Sequence, residues 1–356
     1  MDKKIILAVA GAGKTTLLLN KLNEKDRFLI VTYTKTNYED LKKSIVKRFS
    51  YIPSNIKIYT YFVFLYSFCF KPFEVNLCPT INLRTKGLKF KKPKDDYHLK
   101  STQISYYMEK KSRKMYSNRL ARLCNKEKMF FKIKHRLEKY FDYFFIDEIQ
   151  DLAGNDFNFV NNLTKCNINT IYVGDFYQHT FDTSRDGNVN VNLHKNIDRY
   201  IKRFKDTNNN LEIDLNSLKK SIRCKKEVCE FIRNNLNIEI YPSEDKSVVV
   251  KEIVNQKEID YVMNNDNIIK LFYQNSKLYK GNVENWGNSK GSTYNNVCVV
   301  LNQNTYNLYK ENNLKDLKMA TRNKLYVACT RTKNNLFFVE ERKLIKYKKE
   351  VDLWQI

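Results

Sequence analysis

Residues 5–16 read IILAVAGAGKTT: an apolar run, a glycine-bearing turn, then Lys-Thr-Thr. The apolar run Ile5–Val9 predicts a β-strand, and the residues from Lys14 onward predict a helix, so the turn joins strand to helix. That order builds a phosphate-binding loop. Backbone N–H groups of Gly11 to Lys14 can wrap the β-phosphate of a nucleotide, the Lys14 ammonium can reach the β and γ oxygens, and the Thr15 hydroxyl can hold Mg²⁺. Gly11 and Gly13 supply permissive backbone, while Ala8 stands where such loops usually carry their first glycine, at a strand end that tolerates a side chain. Ala10, Gly11, Ala12, Gly13, Lys14, Thr15 and Thr16 are the candidate nucleotide-binding residues, with ATP and Mg²⁺ as the expected cofactors.

Further along, YFFIDEIQDL (143–152) places Asp147 and Glu148 at the tip of a second apolar strand. A phosphate-loop hydrolase needs one carboxylate for the metal shell and another to orient or activate the attacking water. Asp147 suits the first role and Glu148 the second. Paired acids at a strand end are often merely solvated, so this stretch gains its force from the loop at 8–16.

Other short apolar runs, at 28–34, 56–61 and 170–175, are separated by helix-length segments, the pattern of a parallel α/β sheet. The spacing breaks between about residues 66 and 140. From Arg84 to Lys139 there are nineteen Lys/Arg against five Asp/Glu, and the later part has helical periodicity, so a basic helical insertion is expected there. A polar, turn-rich stretch at 182–192 reads as a hinge near residue 190. A second α/β pattern follows, with a helix near 216–236 and strands at 247–254, 267–273, 297–301 and 336–341. The expected domains are 1–190 and 191–356.

Composition narrows the function classes. Hydrophobic residues are 42% and aromatics 13% of the 356, which excludes a disordered chain. No apolar run approaches the roughly 20 residues of a membrane helix. The start MDKKIILAVAGAGKTT mimics a signal peptide but runs into Gly-Lys-Thr instead of a cleavage site, so an intracellular protein is expected, in cytoplasm, nucleus or a viral replication compartment. The eight cysteines contain no C-x-x-C pair, which argues for reduced structural thiols over a metal cluster. A formal charge of +25 points to a polyanionic partner, although an AT-rich genome also yields lysine-rich surfaces.

AGAGKTT (10–16), VTYTKTNYEDL (31–41), IDEIQDL (146–152), VGDFYQ (173–178), LKKSIRC (218–224), SKGSTYNNVCVVL (289–301) and RNKLYVACTRTK (322–333) occur in the order and spacing of superfamily 1 helicases. The chain resembles their UvrD/Rep/PcrA branch, most specifically in LYVACTRTK, from about residue 5 to 340 but not in the basic insertion. The resemblance implies two RecA-like α/β domains with parallel sheets, an ATP cleft between them, and an insertion lying over the nucleic acid. It implies that Gln178 senses the γ-phosphate, that Arg223 and Arg331 reach it from the second domain as arginine fingers, and that Gly291 belongs to a backbone-contacting core with Lys290 and Ser292. It implies that Tyr33, Thr34, Thr60 and Tyr61 contact single-stranded nucleic acid, where rings stack on bases and hydroxyls meet phosphates.

Several positions depart from the family pattern. Ile222 replaces the tyrosine that stacks on adenine, Thr16 replaces an arginine, Thr293 stands at a glutamate's place, and only seven residues precede Ala8, where relatives carry an adenine-reading glutamine. Base recognition is therefore expected to be loose. About 60 residues separate Arg223 from the Lys290 motif, too few for the large mobile insert of UvrD. The function expected is an ATP-dependent DNA helicase or single-strand translocase with 3′-to-5′ polarity, acting on single-stranded or tailed nucleic acid, DNA over RNA, with replication proteins as partners and no membrane. The alternatives are an RNA helicase or nucleic-acid-stimulated NTPase of replication, and a non-catalytic binding subunit with a fossil ATP site.

Overall fold

In the computed structural model, residues 1–77, 84–91, 93, 99–180, 183 and 186–349 are described. They form two α/β units. The first comprises Met1–Leu7, Lys14–Gly174 and Phe181–Asp214. Its sheet has six parallel strands: β1 (Lys3–Leu7), β2 (Phe28–Thr32), β3 (Ile56–Thr60), β4 (Tyr143–Asp147), β5 (Asn169–Gly174) and β6 (Glu212–Asp214), in the order β3-β2-β4-β5-β1-β6. Every residue of β2 is buried, as expected for a strand covered on both faces. The expected strands are present; β4 matches its expected run, and the other four stop one or two residues short at the C-terminal end, where the chain leaves the sheet to form loops. The strand expected through Val9 stops at Leu7.

Helix α1 (Lys14–Asn20) follows the loop after β1, and α2 (Lys35–Phe49) follows β2. Thr34 caps α2 by accepting the Asn37 N–H at 3.1 Å. At the other end Ser50 adopts φ +67°, and its N–H closes on Val46 O.

The segment between β3 and β4 is not purely helical. Helices α3 (Ser117–Cys124) and α4 (Glu127–Tyr140) match the expected periodicity, but a three-stranded sheet of Leu88–Lys89, Lys114–Tyr116 and Met108–Glu109 precedes them. Two- and three-residue strands are too short to leave a period-2 signature. Tyr106, Tyr107 and Tyr116 alternate in sequence with the insertion's charges but are buried, so their rings belong to its core; Tyr97 and Lys92 lie outside the described residues. Arg119 is 1% exposed and stacks over the Tyr106 ring at 3.8 Å, paired with Asp186 at 3.4 Å.

The units divide between Asp214 and Leu215, not near residue 190. Helix α6 (Ile197–Lys205) packs Tyr200 and Phe204 on Phe157 of α5 (Gly154–Leu163), and β6 extends the sheet beside β1. The polar stretch expected to be a hinge is part of the first unit, and its residues 182, 184 and 185 lie outside the described residues.

The second unit comprises Leu215–Ile356 together with the short segments Ala8–Gly13 and Asp175–Thr180. Its five parallel strands are β7 (Val250–Glu252), β8 (Ile268–Phe272), β9 (Val283–Asn285), β10 (Asn296–Leu301) and β11 (Leu336–Glu340), ordered β7-β11-β10-β8-β9. Helix α7 (Lys226–Leu236) is shorter than the helix expected from 216, because Lys220–Ser221 pairs as a strand with Tyr241–Pro242. Helix α8 (Met319–Cys329) buries Leu325, Tyr326, Val327, Ala328 and Cys329. The seven described cysteines are buried free thiols. No helix among the described residues is long and apolar enough to cross a membrane.

Candidate functional site

The C-terminal ends of β1 and β4 deliver the first group of residues, where parallel α/β sheets place their ligands. Lys14 and Thr15 open α1, and Asp147 closes β4. Thr15 Oγ1 donates to Asp147 Oδ2 at 2.9 Å, and Lys14 Nζ stands 3.9 Å from Glu148 Oε1. The first unit thus brings four of the expected residues into one cluster. Thr16, the next position of α1, is exposed.

Glu148 sits in the left-handed region at φ +61°, unusual for a residue with a side chain and characteristic of sites where tertiary structure holds backbone strain. This turn passes close over β5. A Cβ on Gly174 would lie 2.3 Å from Gln150 Oε1 and 2.7 Å from Ile149 Cγ2, so the glycine of VGD is required for the acidic turn to pack. The Gln150 amide donates to the Glu148 carboxylate.

Asp147 is 3% exposed. Burial, and then the neighbouring Glu148 charge, push its carboxyl up to about 7, opposed by Lys14 and by the Thr15 hydrogen bond. Its Oδ1 is buried without a hydrogen-bond partner. A buried carboxylate oxygen is costly to leave unmatched, and a divalent cation would satisfy it and favour the ionised form. The donor set, one hydroxyl and one carboxylate, fits Mg²⁺ carried on a nucleotide, which takes few protein ligands and completes its shell with phosphate and water. Among the described residues no three His, Cys, Asp or Glu side chains cluster as a stand-alone metal site.

The second unit holds the remaining residues of the nucleotide set. Gly11 and Gly13 adopt φ +69° and +84°. A Cβ on Gly11 would approach Arg223 Cβ to 2.6 Å and Ser221 Oγ to 3.0 Å, so glycine is demanded here by space as well as by conformation. Ser221 Oγ donates to Ala10 O at 2.7 Å, and Ile222 N donates to Gly11 O at 2.9 Å. Ala12 is buried, and its N–H reaches Val9 O at 3.4 Å.

Arg223 Nη1 donates to Thr330 O at 3.2 Å, which sets it beside Arg331. The Arg331 guanidinium is buried and donates to Val327 O, Ser292 O and Thr330 Oγ1 at 3.0, 3.3 and 3.2 Å. Gln178 Nε2 donates to Asp175 Oδ2 at 2.9 Å, and Lys290 Nζ donates to the Gln178 carbonyl at 3.0 Å. Gly291 is exposed at φ +87°.

Two residues of this network were not singled out from sequence. The Tyr326 hydroxyl accepts the Ala10 N–H at 2.9 Å and donates to Asp175 Oδ2 at 3.0 Å, joining the phosphate-loop backbone to the carboxylate that holds Gln178. Burial first, and then Asp175, raise its hydroxyl well above the ordinary tyrosine range. A tyrosine on the apolar face of a helix reads as core, and only the polar partners reveal its second role.

The four residues expected to touch nucleic acid divide. Tyr33 and Thr34 follow β2, Thr60 closes β3, and all three are half-buried. Burial raises the Tyr33 hydroxyl, with Asp156 and Asp151 adding to the effect. Tyr61 is fully buried and donates to Asp156 Oδ1 at 2.9 Å. Its ring has no face to offer a base, which corrects the expectation. The neighbouring Phe62, passed over in the sequence, is the half-buried ring at this turn.

Comparison with known proteins places this geometry. The family model of the viral superfamily 1 RNA helicase core domain matches residues 97–340, a span that includes the acidic turn, Gln178, Arg223 and Arg331 and begins after the phosphate loop. No curated protein matches the chain. Among solved structures, the Arterivirus nonstructural protein 10 helicase in complex with DNA is similar at 13% identity and TM-score 0.51, over 95% of this chain and 61% of that one. A crystal structure of the Arterivirus nonstructural protein 10 helicase is similar at 12% identity and TM-score 0.50, over 98% of this chain and 62% of that one. The chain therefore spans about three-fifths of the length of these helicases, and at this identity the likeness concerns the fold. The matched span exceeds half the sequence and agrees with the motifs at the level of the superfamily: the chain belongs to the viral superfamily 1 RNA helicase core-domain family.

Proposed function

We propose that the chain is an NTP-driven helicase core that moves along single-stranded nucleic acid, with ATP as fuel and Mg²⁺ as its metal. The observation that carries this reading is the cluster of Lys14, Thr15, Asp147 and Glu148 at the strand ends of the first unit. Thr15 and Asp147 would hold the cation, which supplies charge neutralisation on the phosphate oxygens when bound. Lys14 adds a fixed positive charge to the β and γ phosphates, so that charge developing during transfer is met without reorganisation. Glu148, held in its left-handed turn and oriented by Gln150, positions the attacking water. Arg223 and Arg331 act on the transferring group as further fixed cations, and Gln178, tied to Asp175 and Lys290, reports its presence to the nucleic-acid surface.

The track on this reading is DNA, contacted by Tyr33, Thr34 and Thr60. The name of the matched family favours a second reading, in which the track is RNA. Placement in the UvrD/Rep/PcrA branch, and with it 3′-to-5′ movement, rests on the LYVACTRTK stretch. Strand displacement on DNA and RNA duplexes carrying a 3′ or a 5′ tail tests both points. ATP-dependent opening of the 3′-tailed DNA duplex is expected; a preference for the 5′ tail reverses the polarity, and opening of RNA alone puts the second reading first.

A further inference from the structure

Phe90 is a large apolar side chain left 67% exposed in the basic insertion, directly after the short strand Leu88–Lys89. It is not isolated. Its ring meets Phe62 edge to face, with centroids 5.1 Å apart and planes at 87°. Phe62 in turn contacts Tyr33 at 6.0 Å and 59°. Three rings from three separate stretches of the first unit thus form a row that starts at the C-terminal end of β2 and ends on the insertion. Phe90 leaves most of its surface to solvent.

Scattered exposed hydrophobics are ordinary, but a row of rings flanked by cations is not. Lys91 beside Phe90 is exposed, as are Lys110, Lys111 and Lys114 on the same small sheet and the turn next to it. The stretch from Arg84 to Lys139 has nineteen basic residues against five acidic ones. Rings that offer π-faces beside mobile ammonium groups match the chemistry of a single strand, whose bases stack and whose phosphates take the cations. A protein partner of apolar chemistry would gain nothing from the lysines.

We propose that Phe90 and Phe62 form a base-stacking step that continues from Tyr33 onto the insertion, and that its occupant is an unpaired nucleotide of single-stranded nucleic acid. This inference rests on the helicase reading above. It places the strand across the insertion through base contacts, which the lysines alone would not require. Because every base has a π-face, the step is indifferent to sequence, as a translocating protein requires.

The test uses the full chain and single-stranded oligo-dT and oligo-U carrying one 2-aminopurine, whose fluorescence falls when it stacks. Wild type is expected to bind and quench. Phe90→Ala should weaken binding roughly five- to a hundredfold and lose quenching, since stacking on an aromatic ring contributes about that factor per base. The log–log salt slope should stay unchanged, because no phosphate contact is removed. Phe90→Trp should restore both affinity and quenching. Phe90 is exposed, so its removal leaves the fold intact; Phe62→Ala is the second variant, with thermal melting as its control. Failure of wild type to bind any single strand overturns the helicase reading itself. Binding by wild type with unchanged affinity and quenching in Phe90→Ala overturns this proposal alone and leaves the ring to a protein partner.

Discussion

Asp147 carries opposing demands. Its carboxyl is buried beside Glu148 and pushed up to about 7, while one oxygen has no partner. A carboxyl raised in the folded state binds more protons than the unfolded chain between about pH 4 and 7, so stability falls as pH rises through that window. Asp147→Asn should remove this dependence. In the absence of divalent cation the variant should melt a few degrees above wild type at pH 7–8 and no higher near pH 4; about 1 kcal/mol shifts a domain of this size by roughly 2–4 °C. Thermal melts across pH check it, and parallel curves for the two proteins would contradict it. Arg331 is a different case. Sequence presents it as a charge for the γ-phosphate, but its guanidinium also satisfies Val327 O and Ser292 O in a buried setting. Arg331→Ala should therefore slow turnover at saturating ATP and lower the melting temperature, since an unmet buried polar group costs about 1–3 kcal/mol. An unchanged melting temperature would show that these carbonyls find other donors. Residue identities in the phosphate loop and the acidic turn were legible because their chemistry is local. Tyr61 was not: Tyr61 and Phe62 are adjacent aromatics, and only the Asp156 hydrogen bond decides which of them turns inward.

Nine of the eleven strands of the two sheets could be read from short apolar runs, because parallel strands buried on both faces carry continuous hydrophobic sequence; β6 and β9, three-residue edge strands with sequences EID and VEN, could not. The insertion could not be read as well. Its three strands of two or three residues have no periodicity, and its cations do not share one role. Arg119 is buried against Asp186 and Tyr106, and Lys89 pairs with Glu109, whereas Lys91, Lys110, Lys111 and Lys114 face solvent. These four, on or beside the short sheet, are among the insertion's exposed cations available to phosphates, as Lys128 and Lys132 are on α4. Replacing the sheet's four together with glutamine should flatten the log–log salt dependence of single-strand binding by up to about 3, at roughly 0.7 per lost contact on a single strand. Basal hydrolysis should persist, since none of the four belongs to the nucleotide cluster. A salt slope equal to that of wild type would assign these lysines to ordinary solvation. Arg119→Ala, by contrast, should act on the stability of the insertion, because it removes a buried partner of Asp186.

The division of the molecule was also only partly legible. A turn-rich stretch near residue 190 resembles a hinge, yet α6 and β6 return to the first unit and move the boundary to Asp214. Local composition reports turns, whereas the boundary is set by where Phe204 and β6 find their neighbours. Ala8–Gly13 groups with the second unit and Lys14 with the first. A chain that spends a nucleoside triphosphate in response to nucleic acid shows it in steady-state ATP hydrolysis, measured for wild type and Lys14→Ala with and without single-stranded oligonucleotide. Wild type should hydrolyse ATP, faster with oligonucleotide, and Lys14→Ala should be inactive in both conditions while still binding the oligonucleotide. Hydrolysis by Lys14→Ala at the wild-type rate, or none by wild type in either condition, would contradict the account.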